Sequence, residues 1–417
     1  MYEFIDNIAE KEYMNFFHKN NASFMQSYNW GQFNRSARNQ IPHYVGLKKN
    51  NKIVCEALLL EKKILKLSYF YCPRGFIIDF NNKDTLNEFT KHLKKYIKSH
   101  NGIYLKIDPE IEYQKLDKNG NVISSNNQND GLLNNLQELG FTHTGFNKNF
   151  ENNQPRYTFI IDLTSDIDTI INNIDKSVLK KIKKTYEYDM IFRESQDIDT
   201  FYKLISKVSE KDEFSAYSKK YYQDVLNIMD EYYKLFEIII NPHDLYQKLQ
   251  NKLDKINMNL EYAKSKELNN LKYSKERIIK ELNILKHYKD IHKLVICSQI
   301  CACTKEKMYT LYIGNDEIGQ QLYAVNRMYL EIIKYAKNNG YKYLDLFGTT
   351  GDEKTAVHNL SGIHKFKQNF GGEYVEFIGE FDYVNKKALY HVLPIFLKIY
   401  RLGLKKKNNW RKKHESL

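Results

Sequence analysis

A chain of 417 residues with 42 % apolar and 14 % aromatic side chains has material for two packed domains plus an insertion, which excludes a disordered or low-complexity polypeptide. Its formal charge of +13 favours phosphate-bearing partners (nucleic acid, nucleotide-linked substrates or anionic lipid), although a lysine-rich composition by itself gives the same balance. Cys55, Cys72, Cys297, Cys301 and Cys303 show no CxxC or Cys/His spacing, which excludes a disulfide framework and a zinc site and leaves buried free thiols.

Residues Met1 to Glu10 lack an export signal and no apolar run is long enough to cross a bilayer, so a cytoplasmic protein is expected. From His43 to Pro109 the pattern predicts strands at Tyr44–Lys48, Ile53–Glu61 and Ser68–Tyr71, then a break at Arg74-Gly75. A helix at Thr85–His100 and a strand at Ile103–Asp108 follow. Leu86, Phe89, Leu93 and Ile97 share one face of that helix, and Gly102 is placed to cap it. Glu112 to Gly131 is polar and rich in Asn, Asp and Gly, and reads as a surface loop. Asp175 to Tyr186 is a lysine-rich helical segment.

His243 to His292 contains no Gly and no Pro. Leu249, Leu253, Ile256, Leu260 and Ala263 step by four and three, then the phase slips and Leu268, Leu271, Ile278, Leu282 and Leu285 resume it. That suits an antiparallel helical hairpin turning near Ser265–Asn270, with one long surface helix as the alternative. The plan of the first stretch then returns from Lys293 to Gly348. Strands are expected at Leu294–Thr304 and Met308–Ile313, a break at Gly314, a helix over Tyr323–Asn338 capped by Gly340, and a strand at Tyr343–Phe347. Finally Leu389 to Leu404 is apolar around Pro394, and Lys405, Lys406, Lys407, Arg411, Lys412 and Lys413 follow. Such a tail lies on an anionic membrane surface or forms a core helix with a basic end.

Antiparallel strands, a central helix and a further strand are the core order of the acetyltransferase-like fold, and two copies make a tandem. The expected class is therefore α+β, with two GNAT-like domains at 1–150 and 151–380 and a coiled-coil hairpin at 243–292 inserted in the second. Residues 380–417 are expected to return to the first domain. Neither copy carries the Gly-rich turn with which acetyl-coenzyme A users of this fold cradle pyrophosphate.

No G-x-S-x-G elbow, H-E-x-x-H, P-loop or dinucleotide fingerprint is present, and the histidines lack metal-ligand spacing, so neither cofactor nor metal is expected. Chemistry must rest on positioning and electrostatics. Strand ends supply the candidates: Phe70-Tyr71-Cys72-Pro73-Arg74-Gly75, Lys106-Ile107-Asp108-Pro109-Glu110, Tyr312-Ile313-Gly314, and the basic-aromatic turn His364 to Gly372. Asp108 could accept a proton from an amine or simply hold a neighbouring lysine.

The run Lys365-Phe366-Lys367-Gln368-Asn369-Phe370-Gly371-Gly372-Glu373, followed by Phe377-Ile378-Gly379-Glu380-Phe381-Asp382, resembles the carboxy-terminal signature of FemABX peptidyltransferases. Tyr71 to Gly75, Asp108-Pro109, Gln154-Pro155-Arg156, Ser177–Lys184 and Leu322 to Val325 fit the same family in order. The resemblance implies aminoacyl-tRNA as co-substrate and a UDP- or lipid-linked muropeptide as acceptor, building a peptidoglycan cross-bridge. It assigns Lys367 to the reacting ester, Phe366 to the same channel, and Asp108 and Tyr312 to the amine-binding side. Arg35, Arg74, Lys106, Tyr217 and Tyr221 complete the substrate-binding candidates.

Two departures stand out. Asn34, with Arg35 beside it, occupies the position where soluble-precursor members carry a lysine, and Tyr217 stands where they carry an arginine. Both family residues grip diphosphate, so their loss, with the basic tail, favours a lipid-linked acceptor at the inner membrane face. The competing expectations are a tandem N-acyltransferase using acyl-coenzyme A, or a tRNA- or membrane-binding protein whose site has decayed.

Overall fold

The computed structural model describes residues 1–64, 66–125, 128–211, 216–351, 358–395 and 397. It divides into two compact units. One comprises Met1–Tyr113, Ser125–Asn147 and the described residues from Phe377; the other comprises Gln114–Ser124 and Lys148–Glu376.

The first unit is built on a seven-stranded sheet in the order Tyr2–Ile5, Ile41–Lys49, Lys52–Ile64, Leu67–Cys72, Gly102–Ile107, Phe381–Val384, Phe141–His143. Neighbours are antiparallel except Leu67–Cys72 and Gly102–Ile107, which run parallel because helix Lys83–Ser99 crosses between them. The Asn82 side chain caps that helix by accepting the Thr85 amide at 3.1 Å. Leu86, Phe89, Leu93 and Ile97 are buried against Val45, Leu59 and Phe70. Asn101, at φ +57°, takes the left-handed position that closes the helix, rather than the expected Gly102, which opens the next strand.

The second unit carries nine strands in the order Ile191–Ser195, Tyr233–Ile240, Leu294–Cys303, Lys307–Asn315, Tyr343–Asp345, Tyr157–Asp162, Glu373–Phe377, Glu112–Leu116, Val122–Ser125. The same motif recurs: antiparallel strands, then Lys307–Asn315 parallel to Tyr343–Asp345 through helix Ala324–Asn338. Glu112 to Gly131 is therefore not a plain loop. It forms a hairpin whose turn is held by Asp117, which accepts the amides of Asn119 at 2.8 Å and Asn121 at 2.9 Å, and then enters helix Gln128–Glu138. Gly314 makes no break either. It lies inside its strand, and a Cβ there would sit 2.5 Å from the Ile205 amide of the crossing helix Ile198–Lys211.

Residues 242–285 form two helices of equal length, Pro242–Tyr262 and Ser265–Leu285. The chain reverses at Ala263–Lys264, just ahead of the expected Ser265–Asn270, so the single-helix alternative falls. Leu249, Ile256, Ile278, Leu282 and Leu285 are buried in the unit's core cluster, with Leu253, Leu260 and Leu271 packed against it. The seam therefore merges with the core instead of standing apart from it.

All five cysteines are buried and unbridged. Among the described residues, no helix is long and apolar enough to cross a membrane. In the tail, Leu389, Val392 and Ile395 are exposed and Leu393 is buried, whereas the basic cluster from Lys405 lies outside the described residues.

Candidate functional site

Lys367 sits in the last turn of helix His358–Gln368, half-buried. Its ammonium donates to the carbonyls of Phe347 at 2.5 Å and Gly348 at 2.7 Å. Those carbonyls face it because the chain turns sharply out of strand Tyr343–Asp345. Phe347 adopts φ +57°, and its amide donates to Asp345 Oδ1 at 2.8 Å. Buried Asp345 also accepts the Thr158 hydroxyl. The turn is fastened further along: the Thr310 hydroxyl donates to the Leu346 carbonyl at 2.9 Å, and the Tyr374 hydroxyl to the Thr350 carbonyl at 2.6 Å. His364, one turn before Lys367, pairs its Nδ1 with the Thr349 hydroxyl at 3.1 Å. Burial pulls the Lys367 ammonium down to about 7, against the opposing attraction of Asp345. A cation poised near neutrality and held by two fixed dipoles can meet a developing oxyanion with little reorganisation.

Phe366 turns to the other side of the helix. Its ring lies edge-on to Tyr329 of the central helix at 5.0 Å and beside Phe370 at 5.2 Å. The chain then reverses at Gly371, where φ is +79° and a Cβ would fall 2.4 Å from the Asn173 carbonyl, so glycine is required.

A tyrosine cluster lies further along strand Lys307–Asn315, two residues past Thr310. Tyr221 and Tyr222 lie on helix Lys219–Met229, which is capped by Ser218, and Tyr312 lies in strand Lys307–Asn315. The Tyr221 and Tyr312 hydroxyls are 3.2 Å apart, and half-exposed Tyr217 stacks on Tyr221 with centroids 4.0 Å apart. Burial raises the Tyr312 phenol well above its ordinary value, so it stays protonated and can donate.

In the first unit, Asp108 is buried at the end of strand Gly102–Ile107. It accepts the Tyr71 hydroxyl at 2.7 Å and the Arg74 amide at 2.6 Å. Arg74 stands at φ +53°, with its guanidinium carbon 4.8 Å from the Phe377 ring centroid. Asp108 therefore does not hold the neighbouring lysine: Lys106 turns instead to Glu380 at 2.8 Å and Asp382 at 3.0 Å. Burial lifts the Asp108 carboxyl to about 7, with the Arg74 charge and the Tyr71 hydroxyl pulling the other way. Arg35 is exposed on helix Tyr28–Arg38, while Asn34 is buried and its amide nitrogen donates to the Trp30 carbonyl at 2.8 Å.

Sequence reasoning named His364 with Lys367 in one turn but missed Asp345 and Tyr329 as parts of the Lys367 environment. A signal for Asp345 existed: the strand that follows the central helix ends with an aspartate beside it in both repeats, Asp108 and Asp345. Each of these carboxylates accepts the amide of a residue in the left-handed conformation, Arg74 or Phe347.

The chain is similar along nearly its whole length to known proteins. Aminoacyltransferase FemA of Staphylococcus epidermidis is 24 % identical over 414 residues, covering 94 % of this chain and 99 % of that protein. Aminoacyltransferase FemA of Staphylococcus aureus is 27 % identical over 382 residues, covering 86 % of this chain and 89 % of that protein. The crystal structure of FemX superposes with a TM-score of 0.74 at 22 % identity, covering 94 % of this chain and 99 % of that one, which establishes the shared fold. The FemAB family model matches residues 8–398, and the chain belongs to the FemAB family.

Proposed function

We propose that this chain, an aminoacyltransferase of the FemAB family, moves an amino acid from an aminoacyl-tRNA to the stem-peptide or bridge amine of a lipid-linked peptidoglycan precursor. The observation that carries the reading is the Lys367 ammonium pinned to two backbone carbonyls. Two of its three N–H groups are committed to those carbonyls, and the third is left for a ligand oxygen. An aminoacyl ester needs no covalent intermediate, because an amine attacks it directly. The C–N bond forms, the carbonyl electron pair moves onto oxygen, and Lys367 stabilises that charge. Collapse of the adduct breaks the bond to the ribose oxygen. The nitrogen loses one proton and the ribose hydroxyl gains one, so the transfer is proton-neutral overall.

If the acceptor arrives as an ammonium, it must first surrender a further proton. The raised Tyr312 phenol, which remains a donor, suits it to orienting the acceptor. The choice of a lipid-linked acceptor rests on Asn34 and Tyr217 standing where soluble-precursor enzymes carry cations, with Asn34 buried in its helix. It also implies peripheral contact with the inner face of the membrane.

Purified protein incubated with lipid-linked precursor and a mixture of charged tRNAs should add one or more amino-acid masses to the acceptor. A parallel reaction with the UDP-linked precursor should be slower. An acceptor of unchanged mass in every reaction refutes the activity, and preference for the soluble acceptor refutes the lipid assignment alone.

A further inference from the structure

The second unit leaves one short helix with an unbalanced charge. Lys176–Thr185 carries lysines at 176, 180, 181, 183 and 184 and no acidic residue. Val178, Ile182 and Thr185 are buried, which turns Lys176, Lys180, Lys181 and Lys183 to solvent. Among the described residues, Lys176, Lys180 and Lys183 make no ion pair.

The carboxylates around it are already occupied, beginning with Asp175, which caps the helix by accepting the Ser177 amide at 2.8 Å and hydroxyl at 2.5 Å. Asp189 holds Lys248 at 2.7 Å and Glu187 holds Lys252 at 2.7 Å. Buried Glu281 takes Lys184 at 2.5 Å and the Tyr188 hydroxyl at 2.8 Å, and Glu331 takes Arg327 at 2.8 Å. The positive potential of the helix is therefore not quenched locally. An exposed ring extends the same surface: Tyr186 lies 3.9 Å from the Arg327 guanidinium carbon, and its hydroxyl accepts Lys334 at 3.2 Å. The helical hairpin differs. Its exposed Lys255, Lys264, Lys272 and Lys280 alternate with Asp254, Glu261, Glu267 and Glu276, which gives a face of mixed sign.

The location of the basic helix is as telling as its charge. Its first turn is tied to the turn that follows Lys367: the Asp175 amide donates to the Asn369 carbonyl at 2.8 Å, and Gly371 packs on Asn173. From that junction the ten residues run about 15 Å. We propose that helix Lys176–Thr185, with Tyr186 and Lys334, is the surface that holds the RNA backbone of the aminoacyl donor while its charged end meets Lys367. The hairpin then braces this helix through Glu281 and does not itself form the main RNA contact. This inference rests on the reading of the chain as a tRNA-dependent transferase.

The test is fluorescence anisotropy with uncharged, 5′-labelled tRNA over a range of salt. The variant Lys176→Gln/Lys180→Gln/Lys183→Gln removes three counterion-releasing contacts. It should lower the salt slope by roughly 2–3 and weaken binding about a hundredfold at about 0.1 M salt. The corresponding triple substitution to Arg should restore both. Lys255→Gln/Lys272→Gln/Lys280→Gln in the hairpin should leave the slope unchanged. Wild-type binding that the first variant does not alter overturns this inference alone, as does a loss confined to the hairpin variant. If the first variant keeps its tRNA affinity but loses binding to phosphatidylglycerol vesicles, the surface is a lipid contact and the inference fails. A wild-type protein that binds no tRNA overturns both this inference and the function on which it rests.

Discussion

Replacing Lys367 by Met keeps an unbranched side chain, one heavy atom shorter, and removes its charge. Two of the ammonium's three N–H groups are spent on the Phe347 and Gly348 carbonyls, so the reacting oxyanion loses a single donor. Loss of one such donor costs about 2.7–4 kcal/mol, a fall of 10²–10³ in the chemical step. The assay is single-turnover transfer from preformed aminoacyl-tRNA, with substrate loss by spontaneous hydrolysis subtracted. Because the wild-type cation titrates at about 7, the wild-type rate should fall as pH rises through that value. Lys367→Arg, whose guanidinium keeps its proton, should lack that fall across the same range. Stability offers an independent check. A lysine lowered from 10.5 to about 7 binds fewer protons folded than unfolded between those values, so wild-type stability should rise with pH across that window and the Met variant should lack the rise. A Met variant within about threefold of the wild-type rate would remove Lys367 from the mechanism, since even the low end of the donor scale predicts a hundredfold loss.

Three further outcomes follow from the same geometry. Asp108 is raised from 3.8 to about 7, so it binds more protons folded than unfolded in that interval and erodes stability as pH rises through it. Asp108→Asn should be more stable than wild type at pH above about 7, by up to ~4 kcal/mol at 1.36 kcal/mol per unit less one lost hydrogen bond; urea titration at two pH values measures it. Glu281→Ala strips the partner from half-buried Lys184 and from Tyr188, and should cost about 3–5 kcal/mol of unfolding free energy. A midpoint shift worth less than about 1 kcal/mol would show that the hairpin is not anchored there. Tyr312→Phe deletes one hydroxyl of the pair 3.2 Å apart. It should raise KM for the muropeptide severalfold, on the scale of about 1 kcal/mol for one hydrogen bond, with kcat less affected; an unchanged KM would remove the tyrosine cluster from acceptor recognition.

The repeated core was legible because its signals are local. Period-2 runs and the 86-89-93-97 face mark the first copy, and the second copy follows the same plan. Glu112 to Gly131 misled because a polar hairpin at a sheet edge satisfies its backbone through pairing, which composition does not reveal. Gly314 misled because its glycine answers a crossing helix far away in sequence. At the site, Lys367 and Asp108 lie in motifs that can be read directly, but the direction of their charges could not. Lys106 satisfies carboxylates near residue 380, and Asp345 reaches Thr158 across the sheet. Contacts between residues some 190 to 280 positions apart leave no trace in spacing.

The helical pair of residues 242–285 grades from a buried base to an open tip, and this constrains how such proteins can diverge. Insertions at Ala263–Lys264 meet only solvent, but a change within either helix rotates every later apolar position off the seam unless both helices gain or lose matching whole heptads. The length of this element in other members should therefore vary in steps of about seven residues per helix, counted outward from a root of constant sequence phase.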